Sequence, residues 1–171
     1  MLRSILIATA LFGVVLPATA ATVAEQITVQ APFVRAVPPG QPNSAAFMRL
    51  HNGDSTDHAV ISASSPVANV VELHTHIHDR GMMRMRRIEQ IDLPANAVVA
   101  LKPGGLHVML IDLVEPLVPG HSVAITLNYE DGSNATIHAP VKRFMMEMSD
   151  HDDHQEHDDY DDDHDEHDEH D

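Results

Sequence analysis

Three short stretches hold side chains with the chemistry of a soft metal site: His74 in VELHTHIH, Met85 in GMMRMRR, and His107 with Met109 in GGLHVML. Thioether sulfur is polarisable, so two imidazoles with two thioethers favour Cu(I) over Mg, Ca or Mn, which prefer oxygen. The chain contains no cysteine. A thioether cannot form a disulfide, which makes methionine the safer soft ligand in an oxidising compartment. These residues imply a chain that handles copper. His76 and His78 beside His74 are rival imidazoles.

Strands are the elements that can gather such donors. Side chains on a strand alternate faces, so Val71, Leu73, Thr75 and Ile77 share one face and His74, His76 and His78 the other. In LHVML, Leu106, Val108 and Leu110 point one way, His107 and Met109 the other. MRMRR sets Met83 and Met85 against Arg84 and Arg86. Taken singly, such residues are usually solvent-side histidines and gap-filling methionines. Clustered opposite the apolar faces, they are hard to attribute to packing, and an exposed methionine is an oxidation liability.

The surrounding chain reads as an all-β domain. Between residues 27 and 145, short apolar or alternating runs are broken by turn residues at spacings of roughly 8 to 12, the pattern of a sandwich or barrel. Examples are ITVQAPFVRA, AAFMRLHN, HAVISASS, AVVALK, LHVMLIDL, HSVAITLNY and NATIHAPVK. Tyr129-Glu130-Asp131-Gly132-Ser133 is the turn of a hairpin. No stretch before residue 144 keeps a 3.6 period, so no long helix is expected.

At the N-terminus, Arg3, an apolar run from Ile5 to Leu16 and Ala18-Thr19-Ala20 read as a secretory signal peptide. The sequence thus divides into a leader over residues 1–20, a copper-binding β domain over 21–146 and a tail over 147–171. The location expected is the periplasm, with no membrane anchor after cleavage. The net charge of −16 is uneven, because fourteen of the 26 acids fall between Asp150 and Asp171, where no Lys or Arg occurs. A nearly neutral body with a polyanionic tail argues against nucleic acid or anionic lipid as partner.

The tail loses all apolar periodicity, and Asp, Glu and His with a single Tyr160 cannot bury enough surface to offset chain entropy, so it is expected to be disordered without metal. Its histidines, His151, His154, His157, His164, His167 and His170, form two triplets of three-residue spacing among carboxylates. That donor set suits Cu(II), Zn(II) or Ni(II) better than Cu(I). The expectation is a second metal element that collects Cu(II) or Zn(II) beside the Cu(I) site.

His74, ten residues, Met85, twenty-one residues, His107, one residue and Met109 form a register that resembles the periplasmic Cu(A) chaperones, the PCu(A)C-type family. VRAVPPGQPNSAAFMRLHN looks like the family's opening segment; VELHTH, MRM and LKPGGLHVML look like its metal-site segments. The resemblance covers about residues 27 to 143, with Phe33 standing where many relatives carry Trp. It implies a cupredoxin-like Greek-key β-sandwich with one Cu(I) near the surface on His74, Met85, His107 and Met109. It also implies delivery of copper to the Cu(A) centre of cytochrome c oxidase subunit II, with a Sco-type thiol protein as a candidate second partner. Both imidazoles must be neutral to coordinate, so affinity is expected to fall as pH drops through about 6.5.

Other functions fit less well. A blue-copper electron carrier needs a Cys thiolate, and a copper oxygenase with a histidine brace needs His, not Ala21, at the mature N-terminus. No nucleophile or acid/base constellation is evident, so no enzyme is expected. The alternative is a periplasmic copper, zinc or nickel buffer or resistance protein without a specific acceptor; an adhesion module with an incidental tail is a third class.

Overall fold

The computed structural model describes residues 21–79 and 81–143. A single helical turn, α1 (Val23–Gln26), precedes ten strands: β1 (Ile27–Arg35), β2 (Asn43–Asn52), β3 (His58–Ser64), β4 (Ala68–Asp79), β5 (Met82–Arg87), β6 (Ile91–Leu93), β7 (Val98–Leu101), β8 (His107–Leu113), β9 (Ser122–Tyr129) and β10 (Asn134–Lys142). The hydrogen-bonded order is β5-β4-β8-β2-β1-β10-β9-β3-β6, with β7 also on β2. β1 and β10 pair in parallel and join the two halves, whereas the other pairs are antiparallel. This is the expected all-β, cupredoxin-like sandwich.

Both halves close on one apolar core. Leu50, Leu73, Val108 and Leu110 from one half meet Val60, Ile125, Leu127 and Val141 from the other. Each such side chain contributes roughly 1.5–3 kcal/mol when fully buried. β2 is apolar on both faces over Ala45–Met48 because it lies inside the sheet, flanked by β1 on one side and by β8 and then β7 on the other. β1 is bulged between Gln30 and Phe33, where Ala31 takes a φ of 47° and Pro32 has no N–H for the ladder.

The hairpin turn expected after Tyr129 forms, with Gly132 at φ 83°. Its Asp131 and Ser133 side chains accept from the backbone N–H groups of Val23 and Ala24 and so satisfy the start of α1. At the far end of β2, Asn52 is buried with its amide fully used. Nδ2 donates to the carbonyls of Thr56 and Leu93, and Oδ1 accepts from Asp54 N–H. Two elements escape sequence reading. α1 has four residues and β6 three, too few for either period to register.

Candidate metal centre

β4 carries the centre of the cluster because it is hydrogen-bonded on both sides. Toward β8, His74 stands opposite His107 and Glu72 opposite Met109. Toward β5, His74 stands opposite Arg87, His76 opposite Met85 and His78 opposite Met83. All of these residues lie on one sheet face, while Leu73, Val108 and Leu110 point into the core. His74 thus faces His107 directly and has Met109 and Met85 as diagonal neighbours on its two flanks. Diagonal partners lie about 7–8 Å apart and are within reach of long side chains.

The ligand face is less open than strand parity alone suggests. His107 is only 2 % exposed. Phe47 stacks beside it at 6.2 Å between ring centroids, and Phe33 backs Phe47 at 5.2 Å. Phe33 therefore buttresses the site through Phe47, and the Lys142 ammonium lies 5.8 Å above its ring. Burial is the main reason the His107 pKa falls below the usual imidazole value. That favours the neutral form a metal requires.

Hydrogen bonds fix which ring nitrogen is bare. The Gly105 carbonyl lies 2.9 Å from His107 Nδ1 and can only accept, so Nδ1 carries the proton and Nε2 keeps its lone pair. Glu72 Oε2 lies 2.8 Å from His74 Nε2, which puts the proton there and the lone pair on Nδ1. That Nδ1 is buried and has no hydrogen-bond partner. An unmet buried acceptor costs about 1–3 kcal/mol, a cost that a bound ion would offset. Carboxylate, imidazole and bare nitrogen are the arrangement by which outer partners orient metal-ligating histidines.

Glu72 is itself engaged, with Arg87 Nη1 at 3.5 Å from its other oxygen. Among the described residues, no three His, Cys, Asp or Glu side chains converge as a metal cage. Among those residues a shell of imidazole and carboxylate alone is incomplete, and Met85 and Met109 are the sulfur donors on the same face that can complete a site.

The loop after β7 supplies the positioning carbonyl. Lys102 and Gly105 close a tight turn through Gly105 N–H to Lys102 O at 3.0 Å, and Gly104 takes φ 77°. His76 Nδ1 reaches the same Gly105 oxygen at 3.4 Å. Its ring is 5.3 Å from that of His107, against 5.7 Å for His74. Ring proximity therefore does not separate His74 from His76. The Glu72 contact and the bare, buried Nδ1 do.

Of the donors expected from sequence, His74 and His107 meet face to face, Met109 shares their sheet face, and Met85 reaches that face from the outermost strand, 54 % exposed. His78 lies one rung beyond His76, toward the hairpin tip. The tail histidines, His151, His154, His157, His164, His167 and His170, and Met145, Met146 and Met148 lie outside the described residues. Sequence reading missed Glu72, Arg87, Gly105 and Phe47. Glu72 and Arg87 carried a local signal, since each shares strand parity with an expected donor two residues away, His74 and Met85.

Known proteins resemble this chain in sequence and fold. The profile of the LpqE-like lipoprotein family matches residues 27–141. A Leifsonia xyli subsp. xyli protein named as a lipoprotein, Lxx21020, is 33% identical over 84% of this chain and 91% of its own. The Cu(I)-bound solution structure of DR1885 from Deinococcus radiodurans is 34% identical, covers 75% of this chain and 91% of its own, and superposes with a TM-score of 0.59. The copper-bound PCuAC domain from PmoF2 is 25% identical, with a TM-score of 0.60 over 74% of this chain and 100% of that domain.

Proposed function

Because the chain belongs to the LpqE-like, PCuAC-type copper chaperone family, we propose that it carries Cu(I) in the periplasm and delivers it to the Cu(A) centre of cytochrome c oxidase subunit II. His74 through Nδ1, His107 through Nε2, and the sulfurs of Met85 and Met109 are the ligands. The observation that carries this reading is the buried, partnerless Nδ1 of His74, a residue on the face that also presents His107 and Met109. The copper-bound relatives and the lipoprotein names of its homologues support copper as cargo and a location outside the cytoplasm.

Both imidazoles and both thioethers are uncharged, so the site would bind Cu(I) without the charge compensation that thiolates bring. An acceptor rich in thiolates can then take the ion by ligand exchange, downhill and without catalysis, since thiolate is the softer and stronger donor. A Sco-type thiol protein would share the acceptor's chemistry. The histidine and carboxylate tail would collect Cu(II) or Zn(II) and raise the concentration of metal near the body.

The test is to load the protein with Cu(I), Zn(II) and Ni(II) in turn and offer metal-free subunit II domain. Cu(I) is expected to move to the acceptor. Met85→Ala or Met109→Ala is expected to weaken Cu(I) retention about tenfold or more, a change of about 1.4 kcal/mol. Tightest binding of Zn(II) with no transfer of copper would instead make the protein a metal buffer.

A further inference from the structure

The tip of the β4–β5 hairpin carries a second set of soft donors that the four-ligand site does not use. His78 is exposed and stands directly opposite Met83, one rung outside the His76–Met85 pair. Met82, Met83 and Met85 are 53, 50 and 54 % exposed. Three exposed methionines on one six-residue edge strand contribute little to the core, and they invite oxidation. The methyl end of Met83 lies against Gly104, 3.9 Å from where a Cβ on that residue would stand, so this thioether leans toward the loop that positions His107. Among the described residues, the one acid at the tip, Asp79, lies on the other face with Arg84 at 4.0 Å. Among the described residues, the His and Met face of the tip therefore presents soft donors with no carboxylate beside them.

Resting on the copper-carrying reading above, we infer that His78 and Met83 form a shallow Cu(I) subsite from which the ion passes through His76 and Met85 to His74 and His107. Directly opposed residues of an antiparallel pair have Cβ atoms about 4.5–5.5 Å apart, a gap that an imidazole nitrogen and a thioether sulfur can bridge through one ion. Successive rungs on the same face are about 7 Å apart along the strand, which sets the length of each step. At each step a Cu–N or Cu–S bond forms as another breaks; copper remains Cu(I) and the neutral imidazoles exchange no proton. Two donors hold the ion at the tip and four in the interior, so the gradient runs inward on loading. A stronger acceptor docked at the edge reverses it.

The experiment follows the methionine methyl signals of the full chain, labelled with 13C at each Met methyl, during anaerobic addition of Cu(I). Met85 and Met109 are expected to shift over the first equivalent, Met83 only afterwards, and the core residue Met48 not at all. A Met83 signal that stays still at excess Cu(I), or moves in step with Met85 from the first addition, overturns the subsite. Still signals from Met85 and Met109 would instead overturn the primary ligand assignment. In the double variant His78→Ala with Met83→Ala, Cu(I) affinity of the inner site is expected to persist. Release to the Cu(I) chelator bicinchoninate is expected to slow about tenfold, the factor given by about 1.4 kcal/mol of lost stabilisation. Unchanged release kinetics would reject the relay.

Discussion

Glu72 has the most consequential role that is not a ligand's. It holds the Nε2 proton of His74 and leaves the buried Nδ1 bare, so in the proposed site it would position the ligand without touching the ion. Outer partners of metal-bound histidines typically govern affinity by about 10–100-fold. Glu72→Ala is expected to weaken Cu(I) binding within that range, with Glu72→Gln retaining part of it because an amide oxygen still accepts from Nε2–H; competition with a chromophoric Cu(I) chelator reads both. Tyr129 shows the opposite case. Its hydroxyl is buried without a partner, and burial pushes its pKa up to about 12. Removing a buried group with no hydrogen bond should cost nothing, so Tyr129→Phe is expected to leave the urea midpoint unchanged or raised by up to about 1–3 kcal/mol of stability. A clear loss would mean that the hydroxyl has a partner after all.

At the level of elements, one connection governs how the strands present their donors and a second bears on the stability of the other half of the sandwich. The turn between β7 and β8 places the Gly105 carbonyl, and Gly104 at φ 77° makes that turn possible. A side chain there meets only the flexible end of Met83, so Gly104→Ala suffers mainly from the left-handed backbone, about 1–2 kcal/mol. Thermal unfolding should show that loss, along with weaker Cu(I) binding as the carbonyl shifts. The second connection ties the loop after β2 to the β9–β10 turn through His58, whose Nδ1 lies 2.7 Å from Glu130 and Nε2 3.0 Å from Asp54. Hydrogen bonds to Asp54 and then Glu130 raise the His58 pKa, whereas its bond to His58, chiefly, brings Asp54 down to about 2. A raised folded pKa means that the His58 contribution is fully present below about 6.5, its unfolded value, and is lost as pH rises through the folded value. Asp54 behaves oppositely: its contribution is present above about 3.9 and disappears as pH falls toward 2. Denaturant midpoints measured from pH 6 upward are expected to decline in the wild type, and His58→Gln should flatten that decline; equal slopes would remove His58 as its source.

For the molecule as a whole, the body and the tail are expected to take different oxidation states of one metal. Ending the chain after residue 149 is expected to abolish Cu(II) binding and leave Cu(I) binding intact, as read by stoichiometry; unchanged Cu(II) uptake would show that the tail is only a solvated acidic segment. Much of the body was legible beforehand. Donor types, the side each takes on its own strand and the all-β architecture follow from local rules, because alternation along a strand is a property of a few consecutive residues. The hairpin at Tyr129 came from its Asp131-Gly132 turn residues, and the separation of His74 from Leu73 came from that rule alone. Which imidazole faces which could not come from it. His74 and His107 meet because β4 and β8 align at one register, and that alignment is decided by apolar faces far apart in sequence fitting a common core. The same closure buried His107, assigned Glu72 to His74 and brought the Gly105 carbonyl to His107 and His76. The sequence by itself determined which soft donors are present and which way each one points. Only the tertiary structure decided that His74, rather than His76 or His78, holds a bare buried nitrogen, because register and burial are settled between strands and not within them.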